Sequence, residues 1–151
     1  MKKLMFAFLL IISLKGISQN NGERETRLLQ AVNGFSAATL YNTYGVIGSI
    51  ADAYVKSAYN GKMVDQLMTA QKNLAENLVK LFDALVKDSI LITQADKDYA
   101  VSSIAILNGL KIQAQMLQEF ATTNSNKKQE AYEEQRKKNW SAICQLMGIK
   151  E

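Results

Sequence analysis

Histidine is absent from this 151-residue sequence, and its absence excludes several classes of chemistry. Without an imidazole the chain cannot form a Ser-His-Asp or Cys-His catalytic arrangement, a Glu-x-x-His pair for a di-iron site or a histidine-ligated haem. Cys144 is the only cysteine, so neither an intramolecular disulfide nor a zinc or iron–sulfur site is expected. The eight glycines form no GxxxxGKS/T or GxGxxG phosphate loop. The sequence therefore predicts no cofactor and no metal.

Proline is also absent, which favours long helices. Since proline is frequent at turns, edge strands and helix starts, a chain without it is typical of helices joined by short polar connections. With 48% hydrophobic and 21% charged residues, the composition is that of a globular protein, and the length fits one domain. We expect a single hydrophobic core that needs no disulfide.

The N-terminal segment has the three parts of a secretory signal peptide. Met1-Lys2-Lys3 is basic, residues 4–14 are almost wholly apolar, and Gly16 and Ser18 are small residues at the place of a cleavage site. A membrane anchor is the alternative, but a span needs about twenty apolar residues and Lys15 interrupts the run. We predict cleavage after Ser18.

Cleavage there changes the charge of the protein. Lys2, Lys3 and Lys15 leave with the signal peptide, which reduces 18 basic residues to 15 against 14 acidic ones. This near balance gives no reason to expect nucleic-acid binding. The sequence thus predicts a signal peptide at residues 1–18 and one exported domain at residues 19–151. That domain is expected in a periplasm or outside the cell, without a membrane span.

Apolar residues recur at helical spacing through the first half of the mature chain. The spacing predicts a helix over residues 23–59, or two helices joined near Asn33-Gly34 or Gly45, with its middle well buried. After a turn at Asn60-Gly61, whose residue types tolerate positive φ, a second helix is predicted over residues 62–87. Its expected core stripe consists of Val64, Leu67, Gln71, Leu74, Leu78, Leu81 and Leu85. Met68, Ala75 and Phe82 flank this stripe.

A third helix is predicted to begin after Thr93, which with Asp96 resembles a capping box. The apolar connection before it, residues 88–93, is expected to fold over one end of the core. The core stripe of the third helix includes the polar residues Ser103 and Gln113, and Gly109 predicts a kink or a close helix crossing.

The last segment begins with a polar turn in which Ser125 and Asn126 are candidate N-caps. Residues 127–139 are almost entirely charged or amide-bearing, so we expect a weakly stable helix with little to bury. Apolar anchors return from Trp140 onward, and the helix is expected to end near Gly148. Three to four amphipathic helices of this kind predict an all-α, antiparallel up-and-down bundle.

The candidate interaction surface is a strip of small and polar residues inside the first helix. Its members follow a three-four-three-four step and so share one face: Asn42, Gly45, Ser49, Asp52 and Lys56. The favoured interpretation is packing, in which Gly45, Gly48 and Ser49 admit a neighbouring helix and Asp52 pairs with Lys56. In the other interpretation, the strip is a polar pocket or a docking groove for a partner.

Three other groups of residues have a functional interpretation beside a structural one. Tyr41, Tyr44, Tyr54 and Tyr59 fit either the edge of a core or an interface. Glu130 and Glu134 could form a carboxylate pair, although a solvated helix face is the favoured interpretation. Trp140 and Cys144 fit a buried anchor better than a redox thiol or an intermolecular disulfide.

These observations favour an exported, non-enzymatic protein of the cell envelope or extracellular space. Such a protein would use a helix face to bind a protein partner or a second copy of itself. A carrier that holds a small apolar molecule inside the bundle is the first alternative. A histidine-free hydrolase or lyase with two convergent carboxylates is the second.

Overall fold

A computed structural model describes residues 2–87 and 93–150, with side chains from Gly22 onward. Over these residues the chain forms four helices and no strand. The helices are α1 (Lys2–Val55), α2 (Gly61–Lys87), α3 (Gln94–Thr123) and α4 (Asn126–Met147). The all-α prediction is confirmed. The connection predicted at residues 88–92 lies outside the described residues.

The chain divides into two compact units, residues 1–35 and residues 36–151. In the first unit the side chains of residues 22–35 belong to α1 and are mostly exposed. The predicted signal peptide falls on side chains outside the described part, so its boundary after Ser18 stays a prediction. Within the described residues, no helix combines the length and the apolarity needed to cross a membrane.

The turn between α1 and α2 differs from its prediction. α1 continues through both glycine positions where a joint was considered, and it ends at Val55 rather than at Tyr59. The residue with positive φ in this turn is Ser57, at 60°, and not Asn60 or Gly61, whose residue types tolerate that conformation. Asn60 instead caps α2, because its side-chain oxygen accepts the backbone N–H of Met63 at 2.9 Å.

The second unit is built around α3, which buries residues along most of its length. The predicted stripe of this helix is confirmed from Ser103 to Phe120, including its polar members Ser103 and Gln113, whereas Ala95 at its start is exposed. The buried positions recur at steps of three and four: Ala100, Ser103, Ile106, Leu107, Gly109, Leu110, Gln113, Ala114, Leu117 and Phe120. Its first turn carries the predicted capping box, in which the Thr93 hydroxyl accepts the backbone N–H of Asp96 at 3.1 Å.

Each of the other three helices contacts α3 through side chains. From α1, the ring of Tyr54 meets Phe120 edge-on at 5.3 Å, and its hydroxyl donates to the Ala121 carbonyl at 3.1 Å. From α2, Lys111 of α3 pairs with Glu76 at 3.4 Å. These contacts make a helical bundle in which α3 has neighbours on three sides.

α4 meets α3 at Gly109, which confirms the close crossing expected there. A Cβ added at Gly109 would overlap the side-chain oxygen of Asn139. The prediction that residues 127–139 have little to bury was wrong, because Tyr132 and Asn139 are only 1% and 4% exposed. α4 begins after Ser125 and ends at Met147, beside the predicted end at Gly148, which is the C-cap with a φ of 66°.

The buried face of α2 is not the leucine stripe that the sequence predicts. Its buried residues are Val64 and the three flanking positions Met68, Ala75 and Phe82. Leu74 and Leu81 are instead 42% and 63% exposed. The prediction was wrong because two adjacent stripes of this helix are apolar, and periodicity alone does not say which one meets the bundle.

Gly61 provides a test of the packing between the start of α2 and the end of α3. A Cβ at this position would lie 2.8 Å from the carbonyl oxygen of Ala121, a backbone atom that cannot move aside cheaply. We expect Gly61→Ala to lower the free energy of unfolding by about 1–3 kcal/mol, measured by urea denaturation. The matched control is Gly45→Ala, where nothing lies within 4 Å of the added Cβ. The control should gain up to ~1 kcal/mol, and equal effects of both variants would contradict the assigned packing.

Candidate functional site

Asn42, Gly45, Ser49 and Asp52 lie exposed on one face of α1. Lys56, also exposed, follows directly after the end of the helix and continues this face, since its backbone N–H donates to the Asp52 carbonyl at 3.0 Å. We call these five residues the α1 strip. They share this face because steps of three and four residues return to the same side of a helix. The opposite face of α1 is buried, with Leu40, Ile47 and Ala51 at 2%, 0% and 4% exposure. The α1 strip is therefore held on a rigid element and faces outward.

The packing expected around the α1 strip is found at Gly48, but not at Gly45 or between Asp52 and Lys56. No atom lies within 4 Å of a Cβ built on Gly45, so no neighbouring helix approaches there. Asp52 and Lys56 are both exposed, and they are not among the ion pairs of the described residues. It is Gly48, one turn away and buried, that admits a neighbour, since its Cβ would lie 3.5 Å from the Arg136 guanidinium.

Aromatic side chains border the α1 strip on the side of α4. The ring of Tyr44 stacks on Trp140 with centroids 5.4 Å apart, and Tyr41 meets the same indole at 6.1 Å. Tyr41 remains 47% exposed, and Tyr44 and Trp140 are half-buried. This arrangement fits the core-edge interpretation of the tyrosines and also leaves an aromatic surface next to the strip.

The chemistry of the α1 strip is that of a binding surface. It offers an amide, a hydroxyl, a carboxylate and an ammonium, which can donate to and accept from a partner. Gly45 leaves the helix backbone open to close approach. Val46 and Val55, at 41% and 59% exposure, add apolar area on the same helix.

A buried polar cluster between α3 and α4 is a feature that the sequence indicated only in part. The Asn139 amide nitrogen donates to the Gln113 side-chain oxygen at 2.8 Å, and the Gln135 amide donates to the Asn139 oxygen at 2.9 Å. Gln113 was placed on the core stripe of α3, but nothing in the sequence paired it with Asn139. This pairing depends on the close crossing at Gly109.

Not every polar atom of this cluster is satisfied. The Gln113 amide nitrogen of the cluster and two core hydroxyls outside it, those of Tyr132 and Ser103, are buried and make no hydrogen bond of good geometry among the described residues. Burial raises the pKa of the Tyr132 phenol from its ordinary value of 10.0 to about 12, although the Gln113 amide opposes the shift. The phenol therefore stays neutral well above physiological pH.

A cleft of about 550 Å³ lies between the first half of α3 and the second half of α4. Its floor includes Ile106 and Asn139, both only 4% exposed. Ala142 and Leu146 add apolar walls, whereas Asp98 and other polar residues lie along its rim. The cleft is large enough for a small organic molecule and has apolar walls, which favours a carrier.

The carboxylates offer less support for catalysis. The pKa values of Glu76 and Glu119 are lowered, because Lys80 hydrogen-bonds to Glu76 and Lys128 to Glu119. A general acid needs the opposite shift. Among the described residues, no group of three or more acidic or cysteine side chains could hold a metal ion.

Comparison of the chain with protein-family models, curated proteins and solved structures found no match. The functional conclusion therefore depends on the geometry of this chain. That geometry provides two candidate sites, the α1 strip and the cleft between α3 and α4.

The raised pKa of Tyr132 predicts a loss of stability at high pH. Between pH 10 and pH 12 the unfolded phenol ionises while the folded one stays protonated, so the free energy of the unfolded state falls relative to that of the folded state. We expect the free energy of unfolding to fall by about 2–3 kcal/mol across this window. In Tyr132→Phe this component of the pH dependence should vanish, and in the exposed control Tyr41→Phe it should persist. Guanidinium titrations at each pH would measure it, and an unchanged slope in Tyr132→Phe would contradict the assignment.

Proposed function

We propose that the mature chain is an exported, non-enzymatic interaction protein that binds a protein partner through the α1 strip. The observation that carries this proposal is the exposure of all five strip residues, four on α1 and Lys56 directly after it, while the opposite face of the helix is buried. A polar surface on a rigid helix costs little ordering when it binds, because its backbone is already fixed.

The composition of the surface supports a protein as the partner. The charges of Asp52 and Lys56 are not used in ion pairs within the described residues, so both can meet opposite charges on another molecule. Tyr41 and Val46 supply the exposed apolar area that a polar strip lacks. Interfaces combine these two kinds of group, and tyrosine is enriched in them.

Export and helix order are parts of the same proposal. The basic start, apolar run and small residues of the N-terminal segment support a signal peptide that ends at Ser18.

An up-and-down order of the helices is supported by contacts that run antiparallel between neighbouring helices. For α2 and α3 these contacts are Glu76 with Lys111 and Asp65 with Gln118. For α3 and α4 the corresponding pairs are Gln113 with Asn139 and Glu119 with Lys128.

Gly45 allows a sharp test of this surface. We expect Gly45→Arg to lower partner affinity by at least ~10-fold, because a long side chain would stand where a partner approaches the backbone. Gly45→Ala is the matched control and should bind normally, since its Cβ meets nothing within 4 Å. The measurement is quantitative capture from envelope extracts of the producing cell, followed by titration of the captured partner. N-terminal sequencing of the bait would show whether it begins at Gln19.

Two results would contradict the proposal. One is equal binding by both Gly45 variants, with circular dichroism showing that both are folded. The other is a partner whose photo-crosslinks form from a probe at the exposed control position Lys80 and not from a probe at Ser49.

A carrier of a small apolar molecule is the second candidate, and the cleft between α3 and α4 is the observation that favours it. We expect an apolar fluorescent amine such as N-phenyl-1-naphthylamine to bind with one-to-one stoichiometry. Ala105→Trp, on the wall of the cleft, should reduce this binding several-fold by filling the space. Gln115→Trp, at an exposed position outside the cleft, should leave it unchanged. Equal binding by all three proteins would count against the carrier.

A further inference from the structure

The charged and apolar residues of α2 are sorted onto opposite flanks. At 3.6 residues per turn, all the charged side chains of this helix fall within roughly a quarter of its circumference. They are Lys62, Asp65, Lys72, Glu76, Lys80, Asp83 and Lys87. This flank borders α3, where Lys111 reaches Glu76 at 3.4 Å and Gln118 donates to Asp65 at 2.8 Å. The charged residues of α2 therefore lie on the side next to α3, and the other side of the helix has none.

Five leucines occupy the other side, and we call them the leucine flank: Leu67, Leu74, Leu78, Leu81 and Leu85. Leu74 and Leu81 are 42% and 63% exposed, and the other three are half-buried. The half of the helix centred on the leucine flank carries no charged residue between Met63 and Leu85. An uncharged leucine stripe of this kind on a monomer marks an interaction surface.

The spacing of the leucine flank says which partner it fits. Its members step by seven, four, three and four residues, which is the seam of a coiled coil with one position filled by Gln71. The six seam positions are also symmetric about residue 76, because 67 mirrors 85, 74 mirrors 78, and Leu81 mirrors Gln71. A two-fold axis at this level would bring Leu67 against Leu85 and Leu74 against Leu78 of an antiparallel second copy.

We infer that the leucine flank is the interface of a homodimer in which two copies of α2 pack antiparallel about Glu76. The paired stretch from Leu67 to Leu85 is about 27 Å long at 1.5 Å per residue. No like charges face each other across it, because every charge of α2 lies on the α3 side. This inference does not depend on the α1 strip, which occupies a different helix.

Mutation of the two most exposed leucines tests the interface without opening the core. The full chain, processed by an exporting host, should sediment as a concentration-dependent monomer–dimer mixture. Leu74→Glu/Leu81→Glu should be monomeric at every concentration, since it would bury four carboxylates in the dimer. The matched control Val101→Glu/Ile112→Glu changes two residues of α3 that are 56% and 47% exposed, and it should keep dimerising. A monomeric unmodified chain, or equal loss of dimer in both variants, would overturn the inference.

Disulfide trapping tests the orientation. Ala70 and Ala84 are exposed beside the leucine flank and lie on opposite sides of residue 76. In the antiparallel dimer, Ala70 of one copy is near Ala84 of the other, whereas the two Ala70 residues are about 18 Å apart along the axis. Mixing Ala70→Cys with Ala84→Cys should give the mixed disulfide several-fold faster than either protein gives its own homodimer. Faster homodimer formation would indicate a parallel pair and would overturn the proposed symmetry.

Discussion

The close approach of α3 and α4 at Gly109 is the constraint on which much of the second unit depends. Because this position has no side chain, Asn139 can enter the space beside α3 and donate to Gln113. The hydrogen bond fixes one helix against the other, since sliding by a turn would leave two buried amides without partners. The same contact places Tyr132 in the interior and forms the floor of the cleft.

The sequence predicted those parts of the fold that depend on local chemistry. The capping box of Thr93 and Asp96 predicts the start of α3, and Gly148 predicts the end of α4. The helical spacing of apolar residues in α3 predicts its buried stripe. These signals are readable because caps and periodicity involve residues that are near each other in the chain. The candidate α1 strip was also identified by spacing, but its exposure was not, because exposure depends on where the other helices pack.

The errors have the same physical origin. α2 has two neighbouring apolar stripes, one of leucines and one that contains Met68, Ala75 and Phe82. Which of them is buried depends on the position of α3, and the sequence of α2 does not contain that information. In α4, Tyr132 and Asn139 are buried, but the charged residues around them in the sequence predict an exposed segment. The pairing of Gln113 with Asn139 spans 26 positions of sequence, so no local pattern could reveal it.

The only cysteine of the sequence, Cys144, lies in α4 and is just 2% exposed. A thiol must reach solvent as a thiolate before it can react with an electrophile or exchange with a disulfide. In an oxidising compartment its burial therefore protects the chain from mixed disulfides for as long as α4 stays docked. The rate at which a thiol reagent alkylates Cys144 would consequently measure how often α4 separates from the bundle.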